Sequence, residues 1–225
     1  MVRRRPFRSA TLAAVAAAAL LVSACGGDDS GSSDDKIEGA SQSSPAASPS
    51  ASEKGTDPDA PEIELPASVE LVFGDWESAD PEEQAVLDSG AQRQRATYEA
   101  ITQDPPNPDS EYIALYNMKG TGAWTSLQDW IGEFKAANAT VEGTFRFFDP
   151  QVRVADNGIT ATLRFCSDER DVDQKNRETG KVLTQADPYE YVEYTTTLQK
   201  NDEGAWQTAN VENKRDACDA GGLAQ

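Results

Sequence analysis

Val141-Glu142-Gly143-Thr144-Phe145-Arg146-Phe147 alternates its large apolar side chains with polar ones at every second position. A period of two puts one set on each face of a β-strand. The pattern runs on through Val152 and Val154 to Asp156-Asn157-Gly158. Asn157-Gly158 is favoured chemistry for a two-residue hairpin turn. Beyond the turn, Ile159, Ala161, Leu163 and Phe165 alternate with Thr160, Thr162 and Arg164. Two antiparallel strands are therefore expected. A long polar connection, Ser167 to Asp187, then precedes a strand over Tyr189 to Lys200. Asn201-Asp202-Glu203-Gly204 turns that strand back into Ala205 to Glu212.

Upstream of Asn138 the period is 3.6 rather than 2. Val69, Val72, Phe73 and Trp76 fit one short helical stripe. Asp80-Pro81-Glu82-Glu83 then predicts a helix start, with Asp80 as N-cap, Pro81 at the first position and acids in the first turn. Leu87, Ala91, Gln94, Tyr98 and Ile101 keep a 4-3-4-3 spacing along one face. Asp104-Pro105-Pro106-Asn107-Pro108 ends that helix. Another helix fits Thr121 to Ala137, with Trp124, Leu127, Ile131 and Phe134 on a stripe that reads as core packing rather than a cofactor box. Helices followed by at least four largely antiparallel strands make the expected class α+β.

The start of the chain carries a different signal. Arg3, Arg4, Arg5 and Arg8 precede an apolar run from Ala10 to Val22, interrupted only by Thr11. The run is too short to span a membrane and suits an export signal. It closes on Val22-Ser23-Ala24-Cys25-Gly26, which resembles the bacterial lipobox. There, small residues precede a cysteine that is lipidated and becomes the new N-terminus. The competing reading is an ordinary signal peptide with a chance cysteine. Arg4-Arg5 faintly resembles a twin-arginine signal, but Arg8 breaks the hydrophobic pair, so both the Sec and Tat routes stay open.

Residues 1–24 are thus expected to be a signal peptide. Residues 25–62, rich in Ser, Gly, Ala, Pro and Asp, are expected to be a disordered tether, with Ile37 as their one large apolar residue. Treated as a flexible coil, the tether spans on the order of 30 Å. Residues 63–225 hold all four Trp, all six Tyr and six of the seven Phe. That length suits a single domain.

The full chain carries 39 acidic against 20 basic residues, a net charge of −19, and has no histidine. The signal contributes four arginines, the tether nine acids against two lysines, and residues 63–225 hold 14 basic against 30 acidic residues, or −16. Such a field repels phosphate, so nucleic-acid binding is not expected. Lacking histidine, the chain has no Ser-His-Asp or Cys-His nucleophile activation, no imidazole acid–base group and no histidine-ligated zinc.

Once Cys25 is assigned to lipid, Cys166 and Cys218 remain. A disulfide between them is expected, with free thiols or pairing with another chain as the alternatives. A disulfide closing a loop of about 50 residues contributes roughly 4 kcal/mol in the chain-entropy account. Asp168-Glu169-Arg170-Asp171-Val172-Asp173 is dense in oxygen ligands, yet it fails the calcium-loop spacing because Lys175 takes the next ligand position and the glycine is absent. It reads as a solvated loop beside the cysteine. Thr179-Gly180-Lys181 lacks the upstream glycine of a phosphate loop. Neither a metal nor a cofactor is expected.

Helices followed by a curved antiparallel meander resemble the NTF2-like (SnoaL-like) cone fold. The chain also resembles a family of small actinomycete lipoproteins of unassigned function. That resemblance rests on the lipobox at Cys25, the tether, Phe73-Gly74-Asp75-Trp76, Gly143-Thr144-Phe145-Arg146-Phe147-Phe148 and Phe165-Cys166-Ser167-Asp168-Glu169. Glu178-Thr179-Gly180-Lys181-Val182, Leu198-Gln199-Lys200-Asn201-Asp202-Glu203-Gly204-Ala205-Trp206-Gln207-Thr208 and Cys218 complete it.

The resemblance implies helices packed on a curved sheet, a lipid anchor on the extracytoplasmic face of the cell membrane, and a homodimer through the sheet as one assembly. It supplies no catalytic residues. The expected function is binding of an unidentified protein or small molecule. The main alternative is a small-molecule enzyme using a pocket carboxylate and a tyrosine, and a purely structural envelope component is the third class. Candidate pocket or docking aromatics are Tyr98, Trp124, Phe145, Tyr189, Tyr191 and Tyr194. On the predicted strand, Tyr189 and Tyr191 share one face while Val192, Tyr194 and Leu198 share the other. Aromatics that merely cap the sheet edges are the alternative for them.

Overall fold

The computed structural model describes residues 60–184 and 191–218. Its elements are β1 (Val69–Phe73), α1 (Pro81–Thr102), α2 (Glu111–Tyr116), α3 (Gly122–Ala136), β2 (Ala139–Val154), β3 (Thr160–Asn176), β4 (Val182–Thr184), β5 (Tyr191–Lys200) and β6 (Trp206–Arg215). The sheet runs β1-β2-β3-β5-β6, with β4 paired to β3. The class is α+β, with three helices on one face of the sheet among the described residues.

The helix start at Asp80-Pro81 forms as its chemistry requires. The Asp80 carboxylate accepts from the backbone N–H of Glu82 at 2.8 Å and of Glu83 at 3.2 Å. Lys200 then pairs with Glu82 at 2.6 Å, joining the helix start to β5. Leu87, Ala91, Tyr98 and Ile101 enter the core, as the 4-3-4-3 spacing predicts, Gln94 is buried with them, and Val86 joins from beside the stripe. Gly90 brings α1 close to the sheet, since a Cβ there would lie 2.5 Å from Leu163 Cδ2 and 3.2 Å from Trp76. At the other end Arg177, from just beyond β3, donates to the carbonyls of Ile101, Thr102 and Ala139. One side chain thus holds the last carbonyls of α1, which have no partner within the helix.

Three expectations are corrected. Val69–Phe73 is a strand rather than a helix, and it pairs in parallel with Gly143–Phe147. A helix of two turns is marginal in water, and the edge of β2 offers these residues backbone partners over their whole length. The sheet is accordingly mixed. Secondly, Ser167–Asn176 is not a loop but the second half of β3, paired along β2 as far as Asn176↔Ala139. Thirdly, the hairpin turn sits one residue early. Gly158 N–H donates to Ala155 O at 2.9 Å, so Asp156 and Asn157 are the central residues, and Gly158 follows them at φ +66°. Ala155 N–H also donates to Thr160 O at 2.9 Å, so the loop has four residues, 156–159, rather than the two-residue form.

Two breaks in the β2–β3 pairing curve the sheet. Phe145 faces both Glu169 and Arg170, because Thr144 pairs with Asp171 and Arg146 with Asp168. Further along, Asp149 and Pro150 together face Phe165, with Asp149 at φ +52°. Each bulge shifts the alternation by one residue and strengthens the local twist. Inward positions therefore change from Phe145 and Phe147 to Val152 and Val154 on β2, and from Phe165, Ser167 and Glu169 to Val172 and Gln174 on β3.

Aromatic rings fill the space beneath α1. Phe73 stacks on Phe147 at 4.9 Å, Trp76 meets Phe165 edge-on at 5.3 Å, and Phe165 stacks on Tyr194 at 5.2 Å. The opposite face of the sheet is polar and ion-paired, through Arg146–Asp171, Arg164–Glu193 and Lys175–Glu142. Cys166 and Cys218 form a disulfide there, with Cα atoms 6.0 Å apart. It follows the backbone bond from Asp216 N–H to Tyr191 O and fastens the tail after β6 to the middle of β3.

Gly143 is the glycine that this sheet cannot replace. Its φ is +129°, and a Cβ would fall 1.9 Å from the Asp171 carbonyl oxygen. Gly143→Ala is expected to lower unfolding free energy by about 2 kcal/mol or more in urea titration. Gly132, on α3 with nothing within 4 Å of its Cβ position, gives the contrast. Gly132→Ala is expected to stabilise by roughly 0.5–1 kcal/mol.

Candidate functional site

A cleft opens between α1, α3 and the inner face of the sheet, with a volume of about 170 Å³. α1 contributes Tyr98, α3 contributes Trp130 and Phe134, and β2 contributes Val141 and Phe145. Glu169, Val172 and Gln174 come from β3, Thr184 from β4 and Tyr194 from β5. Half of the lining residues are aromatic and a single carboxylate lies among them.

The bulge at Glu169–Arg170 puts that carboxylate there, by keeping Glu169 on the inward face opposite Phe145. Ser167 Oγ donates to Glu169 Oε1 at 3.1 Å, and Tyr194 Oη donates to the same oxygen at 3.4 Å. Burial pushes the Glu169 carboxyl above its ordinary value and the neighbouring Asp168 charge adds to this, while Ser167, Arg215 and Tyr194 pull it down. Burial, reinforced by the Glu169 charge, also raises both the Tyr98 and Tyr194 phenols. They stay protonated at neutral pH and act as hydrogen-bond donors.

Behind the phenols lies Arg93, whose Nε donates to Asn117 Oδ1 at 2.8 Å. Burial pulls its guanidinium down to about 10, against the opposing influence of Tyr194 and Tyr98. The fully buried Asn117 donates in turn to Ile113 O, so the cation sits in a defined polar pocket of the helical layer.

Of the candidate aromatics, Tyr98, Phe145 and Tyr194 line the cleft together, with Tyr98 and Phe145 rings 4.1 Å apart. Trp124 does not line it. It is half-buried against the core with Lys119 Nζ 5.6 Å above its ring. Tyr191 lies on the opposite face, as its alternation with Val192 and Tyr194 requires, against Phe148 and under the Arg170 guanidinium at 4.6 Å. Tyr189 and Cys25 lie outside the described residues.

The acidic run also differs from its reading as a solvated loop. Asp168 is buried and held by Arg170 through bonds of 2.8 and 2.9 Å. Burial works against its ionisation, but Arg170 outweighs that and holds the carboxyl below its usual range. Asp171 pairs with Arg146 at 2.7 Å. The carboxylates of the run are thus divided between arginines and the cleft, and no group of metal-ligating side chains occurs among the described residues.

Two lining residues had a readable signal. Trp130 lies three residues after Leu127 and four before Phe134, so it shares their stripe. Glu169 continues the alternation Leu163, Phe165, Ser167. The chain matches no protein-family model and no curated protein.

Glu169 has a consequence for stability. A carboxyl raised in the folded state binds its proton more tightly there than in the unfolded chain, so folding loses stability as pH rises from the ordinary carboxylate value through the raised one. Glu169→Gln is expected to remove that decline, measured as urea midpoints from mildly acidic to neutral pH. An unchanged profile in the variant contradicts it.

Proposed function

We propose that this chain is a lipid-anchored extracytoplasmic lipoprotein whose α+β domain, of the NTF2-like cone type, binds a small molecule in the cleft. The observation that carries the binding reading is the aromatic cleft itself, closed at its base by the core and furnished with one carboxylate and two neutral phenols. Sites of this composition hold small ligands through apolar walls and a few fixed polar groups. The anchor reading is supported by the lipobox ending at Cys25 and by the acidic tether that follows it. No helix among the described residues is long and apolar enough to cross a membrane.

A second reading has one observation in its favour. Glu169 is a partly desolvated carboxyl in hydrogen-bond reach of a tyrosine, which is the equipment of a general base working beside a neutral donor. In that version a bound carbonyl compound loses a proton to Glu169 while a phenol stabilises the oxyanion.

The binding reading is tested by a small-molecule library screened for melting shifts on the purified chain and on Val172→Trp, which fills the cleft from β3. Shifts are expected in the parent chain and absent in the variant. Equal shifts in both place binding elsewhere and overturn the reading. Hits carrying a carbonyl are then followed in D2O by NMR, and failure to exchange their α-protons faster than with Glu169→Gln sinks the enzyme version. For the anchor, Cys25→Ser is expected to move the protein from the membrane to the soluble fraction.

A further inference from the structure

We propose that the cleft selects a small aromatic amine, whose ammonium group pairs with the Glu169 carboxylate while its ring lies among Tyr98, Trp130, Phe145 and Tyr194. This rests on the cleft being a small-molecule site and adds the class of molecule it takes.

Size comes first. A cavity of about 150 Å³ lined by apolar side chains takes up a benzene molecule. At about 170 Å³ the cleft suits one aromatic ring with a short side chain and is too small for a steroid or a long acyl chain. Composition comes next. Five of the ten lining residues, Tyr98, Trp130, Phe134, Phe145 and Tyr194, are aromatic. Their ring faces attract cations as well as other rings.

Charge then decides between a cation, a neutral molecule and an anion. Glu169 is the one carboxyl among the lining residues, and burial holds both phenols protonated. The nearby cation on α1, Arg93, is turned to Asn117 and does not line the cleft. An anion would lie against Glu169 inside a domain whose net charge is −16. A neutral ligand would leave the half-buried carboxyl with Arg215 of β6, outside the lining, as its counter-charge. An ammonium group satisfies it, and the acidic field of the domain raises the local concentration of cations at the mouth. Trp130, at 37% exposure, stands at that mouth.

The groups around Glu169 set the pH dependence. Asp168 lies on its own strand, Tyr194 comes from β5, Arg215 from β6, and Tyr98 from α1 with Arg93 behind it. α3 contributes only Trp130 and Phe134 to the cleft, and β4 only Thr184. Of these groups Glu169 is the carboxyl that an amine would meet in the cleft, and burial raises it above its ordinary value. Amine affinity therefore rises with pH as Glu169 ionises and then levels off.

Isothermal calorimetry on the purified full chain tests this with 2-phenylethylamine, 2-phenylethanol and 3-phenylpropionate at constant ionic strength. The amine is expected to bind about tenfold or more tighter than the alcohol, as a charge-assisted bond implies, with the propionate weakest. Glu169→Gln should bring amine and alcohol to within about twofold of each other, through loss of amine affinity. Trp130→Leu, at the exposed rim, should weaken amine and alcohol by a similar factor in a variant whose melting transition shows it folded. If amine and alcohol bind alike, or the amine keeps its advantage in Glu169→Gln, the cation proposal is overturned while the cleft remains a ligand site. If none of the three binds although library compounds shift the melt, the aromatic-amine class is wrong. If nothing binds in either experiment, the cleft reading falls as well.

Discussion

The mismatch between β2 and β3 at Phe145 is the constraint on which the rest of the structure turns. One residue of β2 faces two of β3, so the ladder must twist there, and the two long strands cannot lie flat. Twist brings the ends of β2 and β3 over the helices, and the concavity so formed receives α1. Without the extra residue, Val172 and Gln174 would project to the solvated face and the cleft would lose two of its ten lining residues. Gly143 serves the same geometry two residues away. The close approach of its Cα to the Asp171 carbonyl leaves no room for any other side chain beside the bulge.

The helical layer meets that curvature through α1, which is buried along most of its length, polar residues included. Such a helix is stable only if its polar groups find partners, and several do. Ser89 donates to Trp206 O, Thr97 to Arg93 O, and Arg93 to Asn117. The same buried polarity bounds the cleft. Arg93 depresses the cost of any negative charge near the phenols without reaching the ligand space itself, so the cleft stays apolar at its floor and acidic on one wall.

Legibility in the sequence followed the physics of each element. α1 was readable because three independent signals agreed: the Asp80-Pro81 start, the 4-3-4-3 stripe and the proline cluster after it. The halves of β2 and β3 that cover the core were readable from strict alternation, and the cysteine pairing from there being two cysteines after Cys25. The outer half of β3 was not. Its residues from Ser167 onward bring Glu169 and Gln174 to the cleft on one side and arginine-paired Asp168 and Asp171 to the other, so the hydrophobic contrast that marks a strand is missing. β1 failed for another reason. Five residues that satisfy both periods carry too little information to choose, and the choice is made by the vacant edge of β2, a tertiary fact. Tyr98, Phe145 and Tyr194 were found as large aromatics at inward positions. Glu169, the group that gives the cleft its chemistry, was hidden in a run that reads as solvated acid.

The parallel pairing of β1 has a mechanical meaning. The chain enters the domain as an edge strand held to β2 along five successive residues, Val69 to Phe73, and locked at its start by the bond from Gly143 N–H to Ser68 O. A pull on the preceding segment runs along this strand, so the β1–β2 hydrogen bonds carry the load together in shear rather than opening one at a time. Yielding of β1 also withdraws Ile63 from the core and Phe73 from its stack on Phe147 and from under Arg95 of α1. Its release uncovers the edge of β2, while the disulfide fastens the far side of the sheet.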